Sequence, residues 1–111
     1  MPTDFVVVLT TLPADADCAA FAETLVQEHL AACVNVLPEM QSFYWWKEKV
    51  DRGRERQIVI KTTAIRLEEL QARICELHPY EVPELLVLRV DGGDEAYLNW
   101  VGQATRGEGG D

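Results

Sequence analysis

The chain has few of the features that define several common classes of protein. Its three cysteines, Cys18, Cys33 and Cys75, contain no C-x-x-C pair and cannot all pair within one chain, which suits a reducing compartment better than a disulfide framework. Its longest apolar run, Phe5–Leu9, is far too short to span a membrane. The first residues show no basic region leading into a signal peptide. We therefore expect a cytoplasmic protein with no membrane partner.

Positive charge is also scarce: ten lysines and arginines face nineteen acids among 111 residues, for a net charge of −9. Because nucleic-acid binding depends mainly on neutralising backbone phosphates, this balance argues against such a partner. The chain also lacks a Gly-x-Gly-x-x-Gly or P-loop fingerprint for nucleotides. Six of the bases lie in or beside one segment: Lys47, Lys49, Arg52, Arg54, Arg56 and Lys61. Their interleaved acids predict a solvated hairpin, with an anion or partner contact as the alternative.

The middle of the chain is predicted to form two strands joined by a turn. Aromatic residues fill positions 43–46, a composition typical of strands, and Gln57–Lys61 alternates around Ile58 and Ile60. The charged, glycine-containing run 51–55 between them predicts the turn.

The two tryptophans of this hairpin pose a packing problem. Neighbouring strand residues point to opposite faces, so Trp45 and Trp46 cannot enter the same core. One indole must therefore be covered from outside the hairpin, and a second subunit is the simplest cover.

The remaining elements follow from apolar spacing, caps and prolines. They are a strand at 5–9, a helix capped by Asp15 or Asp17 and ending near Ala31 or Ala32, a strand at 33–37 with a bend at Pro38, a helix from Thr63 to His78, a strand at 84–90, a last helix across 97–104, and a frayed tail at 106–111. This order predicts a single α+β domain over residues 1–111. Its fold class is ferredoxin-like βαββαβ, with an antiparallel sheet, two helices on one face, a long β2–β3 hairpin and an extra C-terminal helix.

Dedicated catalytic or metal motifs are lacking, which leaves weaker candidates. The cysteines are predicted to be small packed hydrophobes rather than nucleophiles, because nothing provides each with a nearby base. His29 is predicted to be solvated on the first helix. His78 precedes a loop stiffened by Pro79 and Pro83, so it is either a helix C-cap or part of a small-ligand or metal site. Cysteine sulfur and imidazole from across the fold could also form a transition-metal site.

Several of these positions together resemble the CutA divalent-cation tolerance family. The matching residues are Ala32–Val36, Tyr44 with Trp46, Lys61 with Thr62, His78–Tyr80, and Pro83 with Glu84, in a resemblance that runs from about Phe5 to Val101. It implies a PII-like fold in a tight homotrimer, with the hairpin reaching a neighbouring subunit. It also implies a cytoplasmic, non-enzymatic protein linked to tolerance of copper and other divalent metals, without an obligatory cofactor.

The resemblance also implies candidate site residues. The candidates for a ligand-binding cleft between subunits are Asn35, Tyr44, Trp46, Glu55, Lys61, Tyr80 and Glu84. Those for copper(II) or a similar cation are Cys33 and His78. The chain departs from the family pattern at Glu48, where glycine is usual. The alternative function is a PII-like signalling module that binds a small anionic metabolite through Lys61 and the hairpin bases.

Overall fold

A computed structural model of the chain describes residues 5–107. It contains four strands and three α-helices, with a short 3₁₀ turn at Ala64–Arg66. In chain order the elements are β1 (Phe5–Pro13), α1 (Cys18–Gln27), β2 (Cys33–Trp46), β3 (Lys49–Thr63), α2 (Leu67–Leu77), β4 (Leu86–Arg89) and α3 (Glu95–Thr105).

The four strands form one antiparallel sheet in the order β2-β3-β1-β4. Because β1 and β3 lie in the centre, their inward side chains Val8, Ile58 and Ile60 are fully buried. Leu25 of α1 and Ile74 of α2 pack into the same core, so both helices cover one face of the sheet. The predicted α+β, ferredoxin-like topology is confirmed.

The hairpin reverses at a different place from the predicted one. Trp46 pairs with Lys49, so Lys47 and Glu48 alone form the loop, with φ angles of 50° and 65°. Two left-handed residues are what a tight type I′ hairpin turn requires. The prediction of a turn at 51–55 is wrong, because those residues pair with β2 as part of β3. The glycine in that run, Gly53, instead lies beside the Tyr44 hydroxyl, which a Cβ at this position would contact at 3.4 Å.

The predicted bend at Pro38 is confirmed as a bulge. Val36 pairs with Ile58 and Glu39 pairs with Arg56, so Leu37 and Pro38 together oppose the single residue Gln57. Proline has no amide hydrogen to donate, and the bulge places it where the ladder is already interrupted.

The first helix begins as predicted but ends early. Asp17 caps it by accepting a hydrogen bond of 3.0 Å from the Ala20 amide. The helix ends at Gln27 rather than near Ala31 or Ala32, because His29 adopts φ of 61°. The Leu30 amide then bonds the Leu25 carbonyl, which is the pattern of a Schellman C-cap.

The second half of the chain differs from prediction mainly at element ends. Thr63 makes no capping bond, because the 3₁₀ turn separates it from α2, which ends at Leu77 as expected before Pro79. The fourth strand is shorter than the predicted 84–90. Asp94 caps α3, and of the predicted tail at 106–111 the last four residues lie outside the described part of the chain. Among residues 5–107, no helix has the length and apolar character needed to cross a membrane.

Candidate functional site

Strand alternation brings many of the predicted site residues to one face of the sheet. Since Ile58 and Ile60 point toward the helices, the residues between and beyond them point to the opposite side, which we call the helix-free face. Strand pairing then assigns further residues to this face: Cys33 opposite Lys61, Asn35 opposite Val59, Tyr44 opposite Asp51, and Trp46 opposite Lys49. The predicted cleft residues of β2 and β3 therefore share a surface that neither α1 nor α2 covers.

The loop after α2 adds Tyr80 to this face. The Tyr80 hydroxyl donates a hydrogen bond of 2.9 Å to Oε2 of Glu55, a carboxylate side chain that is only 8% exposed. Burial, and then the hydrogen bond to Glu55, raise the pKa of Tyr80 to about 12. The phenol therefore stays protonated and serves as a donor to the carboxylate over the whole physiological pH range.

A second carboxylate is held in the same way a short distance along β3. Nε2 of Gln57 donates to the Thr10 carbonyl at 2.8 Å and to Oε2 of Glu84 at 3.0 Å. Both amide hydrogens are thus used, and Gln57 presents its side-chain oxygen as an acceptor. Glu55, Gln57 and Glu84 together make this end of the helix-free face rich in acceptor oxygens.

The sequence left two roles open for His78: a helix C-cap, or part of a small-ligand or metal site. It is the C-cap of α2, and its buried ring lies with Nε2 2.5 Å from the Thr11 carbonyl. The Tyr80 amide donates to Nδ1 at 3.1 Å, so Nε2 must carry the proton that Thr11 accepts. Both ring nitrogens are therefore engaged, and the ring fixes the loop that carries Tyr80.

The structure keeps the two predicted metal ligands apart within one chain. Cys33 pairs with Lys61, which in turn pairs with Val7 of β1. His78 instead contacts Thr11 of β1. Val7 and Thr11 are four residues apart, which is roughly 13 Å along the strand. Of the three cysteines predicted to be packed, only Cys18 is buried, whereas Cys33 is partly exposed on an edge strand and Cys75 is exposed on α2. No group of three or more His, Cys, Asp or Glu side chains within residues 5–107 is arranged to hold a metal ion.

The hairpin carries a large exposed aromatic surface. Trp45 is 70% exposed and Trp46 is 50% exposed, and they lie on opposite faces as predicted. The Lys47 ammonium lies 5.9 Å from the Trp46 ring centroid, within range of a cation–π contact. Among the described residues, neither indole is buried within a single chain.

Gln57 is the site residue that sequence reasoning missed. The signal was available, because Gln57 has the same strand parity as Lys61 and so belongs to the helix-free face. Its contact with Glu84 was not foreseeable, since it depends on how the loop before β4 crosses the end of β1.

Fold and site together define a class: a ferredoxin-like α+β protein whose helix-free sheet face carries a polar cluster and whose long hairpin is left uncovered. The family model described as "CutA1 divalent ion tolerance protein" matches residues 6–104. The chain belongs to this family.

Known relatives agree with this membership over nearly the whole chain. The "Divalent-cation tolerance protein CutA" of Pectobacterium atrosepticum is 42% identical over 103 residues, which is 93% of this chain and 94% of that protein. Among solved structures, the "PII-like protein CutA from Nostoc sp. PCC 7120 in apo form" has a TM-score of 0.83 and 38% identity, covering 90% of this chain and 96% of the other. A CutA of Archaeoglobus fulgidus, described as periplasmic, has a TM-score of 0.86 and 25% identity, covering 91% of this chain and 98% of the other.

Proposed function

We propose that this chain is a non-enzymatic, cytoplasmic protein that acts as a homotrimer in tolerance of divalent metals, by binding copper(II) or a similar cation. The observation that carries the proposal is the family membership, with relatives named for divalent-cation tolerance at about 40% identity over most of the chain. The free thiols of Cys18, Cys33 and Cys75 favour a reducing compartment such as the cytoplasm.

The uncovered surfaces support the assembly. On the helix-free face Leu86 is 55% exposed and Leu88 is 50% exposed, next to partly exposed Val7, Leu9 and Val59 on the neighbouring strands. A contiguous apolar strip of this kind is typical of an interface between subunits. The exposed Trp45 and Trp46 on the projecting hairpin need cover for the same reason.

Cys33 is the thiol that we propose as a metal ligand. It is partly exposed on the helix-free face, and its soft sulfur is a ligand that suits copper. His78 is the second proposed ligand, and binding through its Nδ1 would require the ring to give up the bond from the Tyr80 amide. Cys33 is therefore the better placed of the two.

The acceptor-rich cluster disfavours the alternative function. A small anionic metabolite at the Tyr80 end of the face would meet the carboxylates of Glu55 and Glu84, neither of which has an ion pair with a lysine or arginine of the described residues. Like charges at a contact are repulsive, so an anion has no favourable site there. The alternative function places its anion at Lys61 and the hairpin bases instead, and we do not propose it because the relatives are named for divalent-cation tolerance.

Native mass spectrometry with copper(II) and a competing chelator tests the proposal. We expect a trimer that retains integral copper, loss of that copper in Cys33→Ser, and retention of it in Cys75→Ser, which removes an exposed thiol on α2 as the matched control. A monomer would contradict the assembly, and a trimer without copper would contradict the metal-binding part of the proposal. Expression in a copper-sensitive bacterial host that lacks its own CutA protein should restore growth only if the tolerance function is correct.

A further inference from the structure

Glu55 is a buried acid without a basic partner among residues 5–107. Its side chain is 8% exposed, and its one hydrogen bond comes from the Tyr80 hydroxyl. No lysine or arginine of residues 5–107 lies within ion-pair distance of its oxygens. A carboxylate removed from water is unfavourable unless a cation or several donors compensate it, so one neutral phenol leaves it incompletely satisfied.

Lys61 is the converse case on the same face. It is partly buried on β3, between Cys33 on one side and Val7 on the other. Within the described part of the chain, no carboxylate lies within ion-pair distance of its ammonium group. Lys49 also faces this side but lies at the exposed end of the hairpin, where water can solvate it.

The two groups cannot meet within one chain. They are six residues apart on the same strand and face, which separates them by roughly 20 Å at the rise of an extended strand. A rigid paired strand cannot close that gap, so Glu55 and Lys61 cannot compensate each other within a single copy.

We propose that the Glu55 carboxylate of one copy of this chain pairs with the Lys61 ammonium of a second copy. Lys61 lies at one end of the exposed apolar strip of the helix-free face, and Glu55 lies toward the other end. A contact that buries the strip therefore brings the Glu55 end of one copy to the Lys61 end of another. A head-to-tail arrangement repeats the same acid-to-base contact at every interface, and a closed ring leaves no group unpaired. The polar cluster around Tyr80 is then completed only between subunits. This inference rests on the proposed assembly.

Charge exchange tests the pairing in the full chain. Lys61→Glu places two acids at each interface, and Glu55→Lys places two bases there, so each should raise the subunit dissociation constant by about tenfold or more. The double variant Glu55→Lys/Lys61→Glu should restore assembly toward that of the unsubstituted protein, as measured by sedimentation and native mass spectrometry at low salt. Glu23→Lys changes the charge equally on the exposed side of α1 and should leave assembly unchanged.

The outcomes separate this inference from the proposed assembly. If the unsubstituted protein is a monomer, the assembly itself is wrong and the pairing falls with it. If it assembles, and Lys61→Glu folds by circular dichroism yet assembles as tightly as before, only the pairing is wrong. Because Glu55→Lys can fail to fold at a buried position, the neutral pair Glu55→Gln and Lys61→Met provides a double-mutant cycle. An additive result in that cycle would also overturn the pairing.

Discussion

The Tyr80 phenol donates a 2.9 Å hydrogen bond to the buried Glu55 carboxylate, which ties the loop after α2 to the middle of β3. His78 orients the same loop from inside, through its bonds with Thr11 and the Tyr80 amide. The polar cluster of the helix-free face therefore depends on a loop that is held in place by the contacts of both His78 and Tyr80.

The raised pKa of Tyr80 predicts a late phenol titration. Burial and the Glu55 hydrogen bond hold the folded-state pKa near about 12, above the ordinary value of 10.0. The resulting stabilisation is therefore complete below pH 10 and is lost as the pH rises from 10 through about 12. Near-ultraviolet absorbance should show a late phenolate phase that disappears in Tyr80→Phe and persists in Tyr97→Phe. An unchanged late phase in Tyr80→Phe would contradict this assignment.

The Arg73–Glu28 ion pair predicts a stability effect at the acid end. Nε and Nη2 of Arg73 each donate to a different Glu28 oxygen at 2.9 Å, joining α2 to the end of α1. The hydrogen bond from Arg73 lowers the pKa of Glu28 below its ordinary value of 4.5, so its contribution is present above that pH and is lost as the pH falls through the folded-state pKa.

Arg73→Lys cannot reproduce the two-pronged contact and should lower the urea midpoint modestly at pH 7. The difference should shrink in high salt and again once Glu28 is protonated, which leaves only the contribution of the contact between Arg73 and Glu76. Arg52→Lys, at an exposed position without an ion pair among the described residues, is the control. A midpoint difference that stays the same as the pH is lowered from 7 through the acid range would show that packing rather than charge is responsible.

The hairpin loop predicts a stabilising substitution. Glu48 has φ of 65°, a region that costs a side-chain-bearing residue about 1 kcal/mol relative to glycine. Glu48→Gly should therefore raise the free energy of unfolding by up to about 1 kcal/mol, measured by urea denaturation. Arg52→Gly, within the paired part of β3, should lower it. If both glycines destabilise equally, the turn does not lie at Lys47 and Glu48.

The conformation of His29 predicts that replacement by glycine destabilises the protein less than replacement by alanine. His29 is exposed, as predicted, and its φ of 61° favours glycine. Its Nδ1 also lies 3.0 Å from the Ala104 carbonyl, a contact that links the end of α1 to α3 and that the sequence did not predict. His29→Ala keeps the strained backbone and loses the bond, so it should cost about 1–2 kcal/mol. His29→Gly loses the bond but relieves the strain and should cost less. Thermal unfolding that ranks alanine above glycine in stability would contradict the left-handed cap.

Local chemistry was sufficient for much of this fold. The alternation around Ile58 and Ile60, the bulge at Pro38, the Asp17 cap and the end of α2 before Pro79 depend on periodicity or on the backbone limits of single residues. Each of these is decided within a few positions of the chain. The family resemblance, carried by short motifs in order, is likewise a property of sequence and is confirmed by the comparisons.

Tertiary structure decided what depends on pairing across the chain. A glycine within a charged run predicted the turn at 51–55, but the register of β2 on β3 places the reversal at Lys47 and Glu48. With the reversal there, residues 51–55 pair with β2, and the longer ladder satisfies more backbone groups than a turn at 51–55 would. The bond between Tyr80 and Glu55 joins residues 25 positions apart, and that between His78 and Thr11 joins residues 67 apart. Such contacts arise from how strands and loops pack against each other, and no local pattern in the sequence encodes them.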